Sequence, residues 1–168
     1  MVTVRAGLAD GRGRTVPGGQ GPRGHVSPAD LRVLSPQECL SLLEPGGVGR
    51  VGFTSGEGIV ILPVNFAVQG SAIIFRTAPD TLLAAHGNGP ASFEADRVDE
   101  ARREGWSVLV QGHAHVITSE REVQRLENGT RLEPWAGGAR DVYVRITATR
   151  ISGRRVGSDE PPLPGARR

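Results

Sequence analysis

Apolar and polar residues alternate one by one between Asp141 and Ile151. Val142, Val144, Ile146 and Ala148 fall on one side, Tyr143, Arg145, Thr147 and Thr149 on the other. A period of two belongs to a strand with one face in a core. Upstream, further strands come at hairpin spacing. Val48 to Thr54 is followed by the turn Gly56-Glu57-Gly58, and the β-branched run Ile59 to Val68 by the turn Gln69-Gly70-Ser71. Ala72 to Thr77 then completes the series. Glycine-rich turns between such runs mark antiparallel hairpins. Ala91 to Val98 and Trp106 to Ile117 add two strands, separated by the charged loop Asp99 to Glu104.

Helical signals are few and short. Ser35, Pro36 and Glu38 spell an N-cap, a first-turn proline and a capping box. Leu40, Leu42 and Leu43 give that helix an apolar side, and Pro45-Gly46-Gly47 ends it. A second stretch opens at Pro79-Asp80, runs through Leu82, Leu83 and Ala84, and stops at His86-Gly87-Asn88-Gly89. Ser119 to Glu127 is polar, with Val123 and Leu126 on one side. Six strands and few, short helices predict a mainly β domain, a small antiparallel barrel or sandwich. The folded domain is expected over residues 28–155. The flanking segments 1–27 and 156–168 are rich in Gly, Pro and Arg, a composition that predicts disorder.

Charge adds less than it first promises. All 20 cationic side chains of the 168 residues are arginines, against 18 acids. The first 27 residues hold four arginines and one acid, and the last fifteen hold four arginines and two acids. Residues 28–153 are left with a net charge of −3. The basic excess therefore lies in the tails, and only seven aromatics exist in the chain. No folded basic face with stacking aromatics is indicated, so no nucleic-acid partner is expected. The longest apolar runs, Gly58 to Val68 and Trp106 to Val110, are too short for a membrane span. No apolar signal-peptide core precedes them, and a cytoplasmic protein is expected. Cys39 is the single cysteine, which excludes a disulfide framework. Lysine Schiff-base chemistry is excluded because the chain has no lysine.

Several motifs compete for a chemical meaning. Gly47 to Gly52 matches the dinucleotide pattern G-x-G-x-x-G, but it follows a helix and enters a strand, the reverse of what a pyrophosphate site needs. His113 and His115 share one face of a strand without a third ligand at metal-binding spacing, so no metal site is expected. Phe75-Arg76-Thr77-Ala78-Pro79-Asp80-Thr81 ends a strand with a cation and a hydroxyl and opens a helix with another hydroxyl. Taken alone, it fits an ordinary capped turn better than a phosphate cradle.

The order of segments is what carries further information. Val48-Gly49-Arg50-Val51-Gly52-Phe53, Pro63-Val64-Asn65-Phe66, Phe75-Arg76-Thr77, Phe93-Glu94-Ala95-Asp96 and Gly105-Trp106-Ser107-Val108-Leu109-Val110-Gln111-Gly112 follow one another. This series resembles the pyridoxamine 5′-phosphate oxidase-like family, in its flavin-nucleotide-binding, nitroimidazole-resistance-like branch, from about Leu34 to Arg155. The resemblance implies a six-stranded antiparallel split β-barrel that forms a homodimer, with FMN in clefts at the dimer interface and a small-molecule substrate. It implies that Pro63, Val64, Asn65 and Phe66 run beside the isoalloxazine and that Phe75, Arg76 and Thr77 continue along the ribityl chain. It also implies that Thr81 meets the phosphate, that Trp106 and Ser107 reach in from the partner subunit, and that Trp135 caps the cleft. The family pattern has a lysine after the position of Thr81 and a glycine before it. Here those positions hold Leu82 and Asp80. Arg50 and Arg76 are the neighbouring cations left to compensate, and losing a charge-assisted contact costs about 1.5–3 kcal/mol. The leading expectation is an FMN-dependent oxidoreductase. The departures keep open the same fold with a deazaflavin coenzyme, and a non-catalytic protein holding flavin, or haem through His113 or His115.

Overall fold

The computed structural model describes residues 31–129, 132, 135 and 137–157. Its elements run β1 (Leu31–Leu34), α1 (Pro36–Leu43), β2 (Gly47–Ser55), β3 (Gly58–Gln69), β4 (Ala72–Thr77), α2 (Leu82–Ala85), β5 (Gly89–Asp99), β6 (Glu104–Ile117), α3 (Glu120–Gly129) and β7 (Val142–Val156). All strand pairings are antiparallel, in the order β1-β7-β4-β3-β2-β5-β6, and β6 also pairs with β7. Six strands therefore close a ring, and β1 is an extra strand on its outside edge, against the far end of β7. Sequence reading missed β1 because four residues, Leu-Arg-Val-Leu, are too few to establish a period. The predicted tails lie outside the described residues except for Val156, which ends β7 opposite Leu31, and Gly157.

Capping chemistry shapes the first helix as the sequence implied. The Ser35 hydroxyl accepts from the Glu38 N–H at 3.3 Å, and the Glu38 carboxylate accepts from the Ser35 N–H at 2.8 Å. Arg32 donates to the same carboxylate at 2.6 Å. The Ser35 hydroxyl also donates to it at 2.8 Å. The donors to the carboxylate, Arg32 foremost and then the Ser35 N–H and hydroxyl, lower the Glu38 pKa from 4.5 to about 2. The helix buries Cys39 and Leu43 against the barrel, and burial pushes the Cys39 thiol up.

β7 is longer than its alternation indicates, because the pattern breaks at a bulge. Gln111 of β6 faces Arg150 and Gly112 faces Ala148, so Thr149 is the extra residue. Gly112 is required there: a Cβ would collide with the Thr147 carbonyl. Beyond the bulge β7 turns outward to pair with β1. The dinucleotide-like glycines lie inside β2, where a Cβ on Gly49 would strike the Phe93 ring and sit 2.8 Å from the Glu94 carbonyl oxygen. Gly49 serves close packing, whereas a Cβ on Gly47 would meet nothing within 4 Å.

Two cores result. The ring interior is filled by Val51, Phe53, Val64, Phe66, Ile73, Phe75, Phe93, Val108, Val110, Val144 and Ile146, with Phe66 edge-on to Phe93 at 4.7 Å. A second core lies on the outer surface, where α3 packs Leu126 over Ala67, Ile74, Ile117, Leu132 and Tyr143. Arg145 anchors that helix to the sheet through Glu122 at 2.5 Å and Gln69 at 2.6 Å. Tyr143, which alternation placed on the polar side of β7, is thereby buried to 3% exposure.

Candidate functional site

The ladder between β3 and β4 is short. It covers Phe66 to Gln69 against Phe75 to Ala72, whereas Pro63, Val64 and Asn65 pair only with β2. Beyond Phe75, β4 continues along β7 alone, through Arg76 opposite Tyr143 and Thr77 opposite Val142. The two strands thus part company, and the barrel splits where Asn65 and Arg76 stand. Backbone groups of Pro63 to Asn65 on the β4 side have no ladder partner from β4, which leaves them open to the polar edge of a flat ligand.

Side-chain direction sorts the ten predicted residues. Val64, Phe66, Phe75 and Thr77 point into the core, at 6%, 4%, 1% and 1% exposure. Asn65, Arg76 and Pro63 lie on the outer side of their strands, at the split. The Asn65 carbonyl oxygen accepts from the Trp135 N–H at 2.9 Å, and its amide nitrogen donates to the Gly47 carbonyl at 3.5 Å. Arg76 donates through Nε to the Arg140 carbonyl at 2.7 Å and lies 3.7 Å from the Asp141 carboxylate. The same connection, between α3 and β7, therefore touches both polar side chains of the split. The Trp135 indole beside it is 81% exposed.

Thr81 is the N-cap of α2. Its hydroxyl donates to the Ala78 carbonyl at 2.8 Å, accepts from the Ala84 N–H at 3.2 Å and lies 2.7 Å from the Thr77 hydroxyl. Both hydroxyls are thus satisfied within the turn. Leu82, at the position that departs from the family pattern, is 51% exposed, and Asp80 is exposed as well. Arg50 is engaged elsewhere, with Glu94 at 3.1 Å and Asp96 at 2.9 Å. Burial and the adjacent Asp96 carboxylate push Glu94 up, and Arg50 opposes that shift. Trp106 packs against the ring interior, and Ser107 is exposed on β6, three strands round the ring from β3 in either direction. Within one chain neither meets the Asn65–Arg76 split.

His113 is exposed and His115 half-buried on the outer side of β6, opposite Thr147 and Arg145. Among the described residues no three His, Cys, Asp or Glu side chains gather at a metal-binding distance. No helix of the described residues is long and apolar enough to cross a membrane.

The outer surface away from α3 is open. Leu31, Val33, Val48, Ile59, Ile61, Val98, Leu109 and Val156 are all at least 36% exposed, with Ile59 at 82% and Ile61 at 65%. All eight lie on the side of their strands opposite the ring interior, interspersed with Arg50, Arg150, Arg154, Glu94 and Asp96.

Sequence reasoning missed Tyr143 and Arg140 as neighbours of Arg76. The missing signal was register: the alternation of β7 is visible, but which β4 residue it sets opposite Tyr143 is not.

Comparison with known proteins places this architecture. A protein of Mycobacterium tuberculosis with no assigned function is 33% identical over 132 residues, 75% of this chain and 86% of its own length. The FAD-binding protein of Mycobacterium smegmatis has the same fold at a TM-score of 0.62 and 34% identity, over 74% of this chain and 97% of that one. A candidate pyridoxamine 5′-phosphate oxidase of Corynebacterium glutamicum superposes at a TM-score of 0.67 and 32% identity, over 82% and 100% of the two chains. The model of the pyridoxamine 5′-phosphate oxidase family matches residues 35–155, the whole closed ring with its helices, and the chain belongs to that family.

Proposed function

We propose that the protein is a homodimeric flavin-dependent oxidoreductase that binds its flavin nucleotide at the split between β3 and β4. The observation that carries this reading is that Asn65 and Arg76 stand where the β3–β4 ladder ends, beside the stretch Pro63 to Asn65 that pairs with β2 but not with β4. A flavin ring needs a flat wall with hydrogen-bonding groups along one edge, and its anionic tail needs a cation. The residues present fit the ring and the start of the tail. They fit the phosphate less fully, since the Thr77 and Thr81 hydroxyls are bonded to their own turn. The bound flavin would supply the hydride chemistry, and the chain supplies position and exclusion of water.

A second copy of the chain is the natural cover for the open outer surface. A two-fold interface must be complementary to itself, and this surface carries both signs of charge among its exposed aliphatic residues. Such a dimer would also bring Trp106 and Ser107 of one subunit within reach of the other's split.

Exposed Leu82 and Asp80 favour a second reading of the cofactor. A phosphomonoester such as FMN carries about −1.5 to −2 charge near neutral pH, whereas the phosphodiester of a deazaflavin coenzyme carries one negative charge and each phosphate of FAD one. At a single phosphate position poor in cations, a singly charged phosphate competes better than a dianion. Spectra of the purified protein, and thermal shifts with FMN, FAD and a deazaflavin coenzyme, test all three. A native-state ligand raises the melting temperature according to its affinity. A colourless protein whose melting temperature responds to none of them would overturn the proposal.

A further inference from the structure

Arg76 is held on three sides. The centre of its guanidinium lies 4.9 Å from the centroid of the Tyr143 ring, its cross-strand neighbour. Its Nε donates to the Arg140 carbonyl at 2.7 Å, and one terminal nitrogen lies 3.7 Å from Asp141. Tyr143 cannot yield, because its ring is wedged in the second core with Ile74, Ile117 and Leu126. Cation–π contact and the Nε bond together fix the plane of the guanidinium and leave most of its terminal N–H groups for another acceptor. Arg50, on the neighbouring strand β2, already spans two carboxylates. Of these two strand arginines, Arg76 is therefore the one whose side chain faces the split without such a pair of carboxylates.

We propose that Tyr143 is a positioning residue for anion recognition: with the Arg140 carbonyl it orients Arg76, and Arg76 so oriented takes the phosphate of the flavin nucleotide. This rests on the flavin reading above. Asp141 tempers the local charge only weakly, because its side chain is 77% exposed and screened by solvent.

The test is the ratio of affinities for FMN and riboflavin, which differ only in the phosphate, in Tyr143→Leu, Tyr143→Phe and Arg76→Met. Removing the ring or the cation should weaken FMN about tenfold and riboflavin by less than about twofold, the size of one charge-assisted contact. Tyr143→Phe keeps the ring and should keep the wild-type ratio. A purely structural role for Tyr143 would instead lower both affinities together in Tyr143→Leu, and that result overturns the inference. So does a wild-type protein that binds both ligands equally, which leaves the flavin reading standing; a wild type that binds neither overturns both. The Arg76 Nε–H resonance provides a ligand-free check. It should exchange slowly in the wild type and Tyr143→Phe and quickly in Tyr143→Leu, and a freely exchanging wild-type signal overturns the inference by itself.

Discussion

The outer surface of the ring has two halves made from similar strands and finished in opposite ways. Around Ile74, Ile117 and Tyr143 the strands carry large residues outward, and α3 covers them, so that Leu126 is 1% exposed and Ile74 fully buried. Around Ile59, Ile61, Val48 and Leu109 the strands also carry large residues outward, and nothing within the described chain covers them. Period-two alternation gives each strand two faces but does not say what lies against the second. A tyrosine on that second face becomes core in one half, while an isoleucine stays exposed in the other. The split between β3 and β4 lies between the halves, with Asn65 touching the connection that follows α3.

The contrast can be broken experimentally. Leu126→Ala in the covered half should cost about 2–5 kcal/mol of monomer stability, the usual result of emptying a filled core position. Urea unfolding measures it, and a loss below that of Ile61→Ala would erase the distinction between the halves. Ile61→Arg in the open half should leave monomer stability within about 0.5 kcal/mol but abolish self-association in sedimentation equilibrium. An association constant equal to wild type would show that the open half is not where copies meet. At the boundary, Asn65→Leu should weaken flavin binding by roughly tenfold, one or two hydrogen bonds' worth, with little change in unfolding midpoint. Titration by flavin fluorescence checks this, and unchanged affinity would move the site away from the split.

The smallest effect lies at the edge, in α1. Glu38 has its pKa lowered in the folded state, so its contribution is present above its ordinary value of 4.5 and is lost as pH falls toward about 2. Glu38→Gln should flatten the stability profile between those values, lowering stability at neutral pH, where the Glu38 contribution is fully present, and converging with wild type at the acid end. A profile parallel to wild type across that window would mean that the capping box is not formed in solution.

Local rules made some elements plain and left others dark. The capping box at Ser35 and Glu38 needs four residues in sequence and is recovered bond for bond. The hairpins through Gly56-Glu57-Gly58 and Gln69-Gly70-Ser71 follow from turn chemistry, and the Val123 and Leu126 side of α3 from helical spacing. β1 was not legible, since its four residues acquire strand character only by pairing with β7 beyond a bulge. Of the candidate site, Asn65 and Arg76 were named from the order of segments. Trp135 was named with them as a cap on the cleft, but Arg140 and Tyr143 were not, because their contacts with Arg76 cross at least 64 residues of chain.

The sequence by itself determined the strands, the turns, the caps and the absence of lysine, for these depend on neighbours within a few positions. Tertiary structure alone decided where the ladder between β3 and β4 stops, which outer face α3 covers, and how each strand arginine is partnered. Arg50 and Arg76 are alike as letters, each on a strand beside polar residues. The register that sets Arg50 against Glu94, and Arg76 against the Tyr143 ring, separates one spanning two carboxylates from one stacked on a ring and bonded to a backbone carbonyl.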